Sequence, residues 1–146
     1  MIRPYHPDDY PKVIALMQAN TPAYFAEEEI TDLEDYLKQH IEDYFLFEEE
    51  GEILGAAGIN YFPEQQEARL SWDFVHPDAH GKGIGKQLTL FRLKHIQSQK
   101  LYSNIIVRTS QLAYQFYEKM GFTLLFVKEN GWAEGYHLYH MQLRSY

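Results

Sequence analysis

The sequence predicts a mixed α/β domain, because strand and helix signatures alternate along it. Across residues 69–74 polar and apolar side chains alternate, which indicates a strand with one face in a core and one in a cleft. Three glycines at alternate positions then lead into an amphipathic helical run: Gly81, Gly83 and Gly85. Two further strand-like segments, residues 122–127 and 136–143, flank the turn signal Asn130-Gly131 and indicate a closing hairpin.

Composition narrows the class of protein. The 146 residues predict one domain spanning 1–146, and 45% hydrophobic and 16% aromatic content indicates a globular fold. The net charge of -8 argues against a nucleic-acid partner, and the lack of cysteine excludes disulfides and a thiolate nucleophile. No apolar run approaches ~18 residues and no signal-peptide pattern follows Met1, so we expect a soluble, cytoplasmic protein without a membrane partner.

The first half of the chain predicts two helices among short strands. A strand is expected at residues 2–5, followed by a helix that Asp8 and Asp9 cap and that runs to about Asn20. The tetrapeptide Thr-Asp-Leu-Glu, beginning at Thr31, has the form of a capping box and predicts a second helix to about His40. Strands are expected at residues 44–47 and 53–61.

The second half continues with the strand that contains residues 69–74. It should end near His76, because Pro77 cannot donate to a strand ladder. A buried strand is expected at residues 103–108, and then a helix that Ser110 caps and that runs to about Met120. Gly121 follows as its C-terminal stop, and the hairpin closes the domain.

The glycine-rich loop predicts an anion-binding site. Strand, loop and helix N-terminus together expose main-chain N–H groups beside a positive helix end, which suits a pyrophosphate. A Walker loop is excluded because Gln87 follows Gly85-Lys86, and a dinucleotide fingerprint is excluded because the glycine spacing is G-x-G-x-G. The alternative is a turn that only joins strand to helix, although three alternating glycines expose more backbone than a connection needs.

Two motifs resemble those of the GNAT superfamily of acyl-CoA N-acyltransferases. The stretch V-H-P-D-A-H-G-K-G-I-G-K-Q-L, residues 75–88, is similar to the family's pyrophosphate loop, with His80 where Gln or Arg is usual. The stretch S-Q-L-A-Y-Q-F-Y-E-K-M-G-F, residues 110–122, is similar to the family's N-x-x-A-x-x-x-Y-x-x-x-G-F, with Ser110 in place of Asn. The resemblance implies a strongly twisted six- to seven-stranded mixed sheet, about four flanking helices, and acyl-CoA bound where central strands splay apart.

The resemblance also implies which residues contact acetyl-CoA. Main-chain groups of Asp73, Phe74 and Val75 would bind the pantetheine arm, and one N–H could stabilise the oxyanion. The diphosphate would meet His80, Gly81, Lys82, Gly83, Ile84, Gly85 and Lys86, with Ser110 as a further contact. Tyr117 corresponds to the tyrosine that meets the departing sulfur; the alternative is a tyrosine that only packs against the sheet.

The general base and the acceptor site are less directly indicated. Asp73 and Glu67 fall on one face by alternation and are both candidates for the base, directly or through water, while Asp73 is equally a candidate anchor for substrate charge. The acceptor is expected among aromatic and acidic side chains that suit a cationic amine: Tyr24, Phe25, Glu28, Ser71, Trp132 and Glu134. The alternative for the Glu27-Glu28-Glu29 run is a solvated surface. No metal site is expected, because His137 and His140 point to opposite faces.

The resemblance therefore implies an acetyl-CoA-dependent N-acetyltransferase that acts by direct attack in a ternary complex. The acceptor would be a small-molecule amine, a peptide N-terminus or a lysine. The alternatives are a non-catalytic acyl-CoA-binding sensor and a protein-interaction module on the same fold. A homodimer is common in the family, and the resemblance therefore makes it a candidate assembly for this chain.

Overall fold

The computed structural model describes residues 1–144 and shows a seven-stranded mixed sheet with four α-helices. The strands are β1 (Ile2–Pro4), β2 (Asp43–Glu49), β3 (Glu52–Phe62), β4 (Glu67–Val75), β5 (Asn104–Thr109), β6 (Phe122–Ala133) and β7 (Tyr136–Leu143). The helices are α1 (Tyr10–Ala19), α2 (Glu28–Asp35), α3 (Ile84–Gln99) and α4 (Tyr114–Lys119), and a π-helical turn (Tyr36–His40) continues α2. The strand order is β1-β2-β3-β4-β5-β7-β6, and β4 and β5 form the parallel pair. The predicted fold class is confirmed.

Both N-terminal helices begin differently from the prediction. Asp9 does not cap α1 with its side chain; it binds Arg3 through two hydrogen bonds of 2.9 Å and accepts the His6 N–H. The predicted capping box at Thr31 is wrong, because α2 already begins at Glu28 and Thr31 lies inside it. The buried Glu29 carboxylate accepts the Ala26 N–H at 2.8 Å instead, so burial of this earlier turn overrides the local signal.

Two boundaries of helices and strands in the second half of the chain also differ from the prediction. The helix predicted to start after Ser110 begins at Tyr114, and the Ser110 hydroxyl instead accepts the Leu112 N–H in a preceding turn. Strand β6 continues through Asn130 to Ala133, so the hairpin turn is formed by residues 134–135 rather than by Asn130-Gly131. Gly135, with a φ of 81°, supplies the left-handed conformation that this turn needs.

A bulge in β4 divides the core between the two faces of the sheet. Leu70, before the bulge, packs in the cluster that contains Ile96 of α3, whereas Phe74, after it, packs in the cluster that contains Met17 of α1. The pairing of β3 with β4 shifts register between Ala56 and Gly58, and Trp72 opposite this shift has a φ of 48°. An extra residue inserted into a strand reverses the side-chain alternation beyond it.

The bulge overturns one geometric prediction. Glu67 and Asp73 were expected on the same face of β4 by alternation, and that is wrong. Glu67 precedes the bulge and faces away from α3, whereas Asp73 follows it and binds Arg92 on α3.

Candidate functional site

A cavity of about 810 Å³ opens where β4 and β5 separate. The two strands pair only over residues 67–70 and 104–107, although β4 continues to Val75 and β5 to Thr109. Because a right-handed twist rotates neighbouring strands, the end of the parallel pair leaves a V-shaped gap between them. The predicted splay between the central strands is therefore present in the fold.

The β4 bulge at the edge of this gap is held from both sides of the sheet. The Tyr44 hydroxyl donates to the Trp72 carbonyl at 2.8 Å, and Arg92 donates to the Asp73 carboxylate at 2.9 Å and to the Gly58 carbonyl at 3.1 Å. The Arg92 side chain is 1% exposed, so its charge requires these acceptors. The main chain that faces the cavity is thus positioned by buried contacts.

The glycine-rich loop forms one end of the cavity. Gly81 and Gly83 have φ values of 84° and 81°, a conformation that a side chain would strain, and α3 begins at Ile84. Within residues 1–144, the main-chain N–H groups of residues 81–86 have no hydrogen-bond acceptor. The cavity is lined here by Gly81, Gly83, Ile84, Gly85 and Lys86, which fits a diphosphate.

His80 and Lys82 differ in where they lie. The His80 ring contacts the Val75 carbonyl at 3.0 Å and packs edge-on against Tyr24 at 5.0 Å, so it ties the loop back to β4 as well as lining the cavity. Lys82 is exposed and does not line the cavity, whereas Lys86 does.

Tyr117 and Ser110 lie on the β5 side of the gap. The Tyr117 side chain is 4% exposed, packs edge-on against Phe116 and Phe122, and reaches the cavity. Within residues 1–144 its hydroxyl has no hydrogen-bond partner. Ser110 also lines the cavity, in the turn before α4.

The two candidate bases are separated by the fold. Asp73 lines the cavity and is bound by Arg92, whereas Glu67 binds Arg69 and lies outside the cavity lining. The two residues are six positions apart on β4, or ~20 Å along the strand. The structure therefore does not bring them together.

Only some of the predicted acceptor residues line the cavity. Tyr24, Phe25, Ser71 and Trp132 line the cavity, but Glu28 and Glu134 do not. The Trp132 indole N–H donates to the Thr109 carbonyl at 2.8 Å, which attaches the hairpin to the end of β5. The Tyr136 hydroxyl donates to the Pro22 carbonyl at 2.6 Å and joins the hairpin to the loop between α1 and α2.

Four charged residues in the cavity lining were not predicted as site residues: Glu29, Arg69, Arg92 and Arg108. Burial raises the pKa of Glu29, while the Ala26 N–H acts against that shift. Partial burial lowers the pKa of Arg108, and the charge of Arg69 adds to the effect. Alternation along β4 placed Arg69 on the cleft face, but no sequence signal distinguishes Arg92 from an ordinary exposed helical arginine.

Residues 1–144 show neither a metal-binding cluster nor a membrane-spanning helix. They contain no group of three or more His, Cys, Asp or Glu side chains arranged to hold a metal ion. No helix in this part of the chain is long and apolar enough to cross a membrane.

Comparison with known proteins gives a consistent family. Residues 14–145 match the sequence profile described as "Acetyltransferase (GNAT) domain". Mycothiol acetyltransferase of Streptomyces coelicolor is 30% identical over 81 residues, covering 54% of this chain and 26% of the relative, so the chain spans about a quarter of that protein.

Solved structures extend the likeness in fold to nearly the whole chain. A protein described as a GNAT-family acetyltransferase from Desulfovibrio desulfuricans superposes with a TM-score of 0.83 at 19% identity, covering 98% of this chain and 97% of that one. An aminoglycoside 6'-N-acetyltransferase, solved with coenzyme A, has a TM-score of 0.77 at 15% identity, with coverage of 97% and 95%. At these identities the likeness concerns the fold.

Proposed function

This chain belongs to the GNAT acetyltransferase family, and on that premise we propose that it transfers the acetyl group of acetyl-CoA to a primary amine. The amine attacks the thioester directly while both substrates are bound. One observation carries the proposal: the glycine-rich loop, the open edge of β4 and Tyr117 all line a single cavity.

The loop supplies the site for the diphosphate of CoA. Its N–H groups over residues 81–86 have no other acceptor within residues 1–144, and Lys86 adds a positive charge at the same end. The N-terminus of the 16-residue helix α3 contributes a further partial positive charge. The aminoglycoside acetyltransferase of the same fold, solved with coenzyme A, supports this choice of ligand.

The open edge of β4 would align the acyl arm. Asp73, Phe74 and Val75 lie beyond the last residue that pairs with β5, so this edge can bind an extended chain as an added strand would. A main-chain N–H at the bulge would donate to the thioester oxygen as negative charge develops there. Because Tyr44 and Arg92 hold the bulge, little reorganisation is needed during the reaction.

Proton transfer would be divided between two residues. As the carbon–nitrogen bond forms and the carbon–sulfur bond breaks, a proton leaves the nitrogen and the sulfur becomes a thiolate. Tyr117 would donate a hydrogen bond to that sulfur. Full proton transfer from a phenol of pKa ~10 to the thiolate of a thiol of pKa ~8.5 is uphill, so the thiolate takes up its proton after the hydrogen bond has stabilised it. Of the two predicted bases, Asp73 lines the cavity, and we retain it, acting directly or through water.

A thiol-release assay with a panel of amines tests the proposal, alongside calorimetry with CoA. Thiol release that requires both the amine and the protein supports it, and reactions without an amine measure background thioester hydrolysis. CoA binding without thiol release from any amine would instead indicate a non-catalytic acyl-CoA-binding protein. Absence of both CoA binding and thiol release would overturn the proposal and favour an interaction module.

A further inference from the structure

We propose that the acceptor is a small amine that carries a carboxylate, which Arg69 and Arg108 bind at the end of the cavity opposite the glycine-rich loop. This inference rests on the proposed function, because it names the substrate class of the same site. Both arginines line the cavity, one on each of the strands that separate to form it.

The register of the parallel pair places these two side chains together. Arg69 lies beside Ile106, and Arg108 is two residues further along β5, so both project from the same face of the sheet. Their Cα atoms are then ~8 Å apart, a separation that two long side chains readily span. A carboxylate between them can accept from both guanidinium groups.

The guanidinium groups retain donors for such a ligand. Arg69 uses its Nε to bind Glu67, and its guanidinium carbon lies 4.3 Å from the centre of the Phe62 ring, which fixes the plane of the group. Within residues 1–144, the Nη atoms of Arg69 and all three nitrogens of Arg108 make no hydrogen bond. The pKa of Arg108 is lowered by partial burial and by the charge of Arg69, while Glu67 acts against that shift. A bound anion would relieve the remaining repulsion between the two arginines.

The carboxylates of the cavity do not neutralise this pair. Asp73 is bound by buried Arg92, and Glu29 accepts the Ala26 N–H. The cavity is lined by four cationic side chains, Arg69, Lys86, Arg92 and Arg108, against these two carboxylates, and Glu67, outside the lining, pairs with Arg69. Of these cations, Lys86 and Arg108 have no carboxylate partner within residues 1–144. In a chain of net charge -8, these cations favour an acceptor whose amine is accompanied by a carboxylate over the purely cationic amine expected from the sequence.

The position of the pair suits a compact amine. Arg69 precedes Asp73 by four residues, or ~13 Å along β4. The long arginine side chains extend over part of this distance, so a carboxylate bound between them lies closer to the reacting centre than the Arg69 Cα atom does. A carboxylate held there leaves the amine of an amino acid or a similar small molecule directed towards the bulge. Trp132 and Tyr136 also line the cavity, and the Trp132 indole binds the carbonyl of Thr109, the residue after Arg108.

The first experiment measures binding without turnover. The side-chain Nε–H resonances of 15N-labelled arginine are followed while N-acetylglycine is added, and again with neutral N-acetylglycinamide. We expect the Arg69 and Arg108 resonances to shift with the carboxylate and not with the amide. Failure of the carboxylate to shift either resonance overturns the inference, even if acetyl transfer is observed. If the arginine resonances shift but the protein releases no thiol with any amine, the anion site stands and the proposed transferase activity is rejected.

The second experiment measures specificity in the thiol-release assay. The ratio of kcat/KM for glycine to that for glycinamide should fall by about tenfold to a hundredfold in Arg108→Gln, as expected when a hydrogen bond to a charged group is lost. Arg108→Lys should recover part of the ratio, because it keeps the charge but loses the paired donors. Arg144→Gln is the matched control, since Arg144 is exposed and lies outside the cavity. An unchanged ratio in Arg108→Gln, or an equal fall in Arg144→Gln, would overturn the inference.

Discussion

Tyr117 differs from the other eleven tyrosines of the chain by its environment rather than by its chemistry. Its ring is enclosed by Phe116 and Phe122, and it lines the cavity near the splayed strands. Tyr114, on the same helix, instead packs against Tyr139 and does not line the cavity. The pair therefore allows the proposed catalytic hydroxyl to be compared with a tyrosine that only packs.

We predict that Tyr117→Phe lowers kcat by about 10²–10⁴-fold, the usual range for loss of a positioned acid, while CoA affinity is retained. The ring and its packing survive the change, so only the hydrogen bond to sulfur is lost. Thiol-release kinetics and CoA calorimetry measure the two effects, with Tyr114→Phe as the control. Turnover equal to that of the unmodified protein would remove Tyr117 from the mechanism.

We expect the buried Glu29 carboxyl to make the stability of the fold depend on pH. Burial raises its pKa, so the fold favours the protonated form. Its contribution to stability is complete below the unfolded pKa of ~4.3 and is lost as pH rises through the folded value. Glu29→Gln is neutral at every pH and keeps an oxygen to accept the Ala26 N–H.

The free energy of unfolding of Glu29→Gln, relative to the unmodified protein, should therefore increase as the pH rises from about 4 towards neutral pH. Denaturant titrations at several pH values measure this difference, and exposed Glu118→Gln is the control, since Glu118 does not contribute to the pKa shift of Glu29. A difference that stays constant across that range would show that Glu29 is not perturbed in the fold.

At the scale of elements, the β4 bulge depends on a glycine in the neighbouring strand. A Cβ at Gly58 would lie 2.6 Å from the Tyr44 ring and 2.7 Å from the Tyr36 hydroxyl, both on buried residues. Gly58 also supplies a carbonyl to Arg92. Local propensity disfavours glycine within a strand, so its place in β3 reflects this close packing.

We predict that Gly58→Ala lowers the free energy of unfolding by about 1–3 kcal/mol, the typical cost of overpacking a core. Gly85→Ala is the comparison, because its Cβ would meet Phe116 at an ordinary 3.6 Å. Urea denaturation of both variants without ligand measures the contrast. Equal stability of the two variants would show that the tyrosines give way at no cost.

At the scale of the whole molecule, the cavity lies between the two parts of the sheet. Residues of β4 and the α1–α2 loop line it from one side, and residues of β5, α4 and the hairpin line it from the other. We therefore expect residues 1–146 to unfold as one domain, and CoA to stabilise that unit. The homodimer and the cytoplasmic location stay predictions.

CoA at a hundred times its Kd should raise the free energy of unfolding by about 2.7 kcal/mol. At the same CoA concentration, Gly83→Ala should be stabilised less, since the substitution strains the loop that would bind the diphosphate. Gly51→Ala is the control: its φ of 79° is nearly the same, so it carries a similar strain of about 1 kcal/mol, but it lies outside the cavity. Equal loss of CoA stabilisation in both variants would contradict this role of the loop.

By itself, the sequence determined the class of fold, the order of most strands and helices, and the two motifs that carry the family resemblance. These features depend on alternation, glycine spacing and residue type within short stretches, which are local properties of the chain. Most of the predicted CoA-binding residues come from those stretches, and most of them line the cavity.

Tertiary structure alone decided the bulge at Trp72, the separation of Asp73 from Glu67, and the approach of Arg69 to Arg108. Each depends on the register between strands, which is set by packing across the sheet. The start of α2 was decided in the same way, because burial of Glu29 and Leu33 outweighed the local capping signal at Thr31. The pair of arginines in the cavity, Arg69 and Arg108, could not be predicted, since it forms where residues distant in the chain meet.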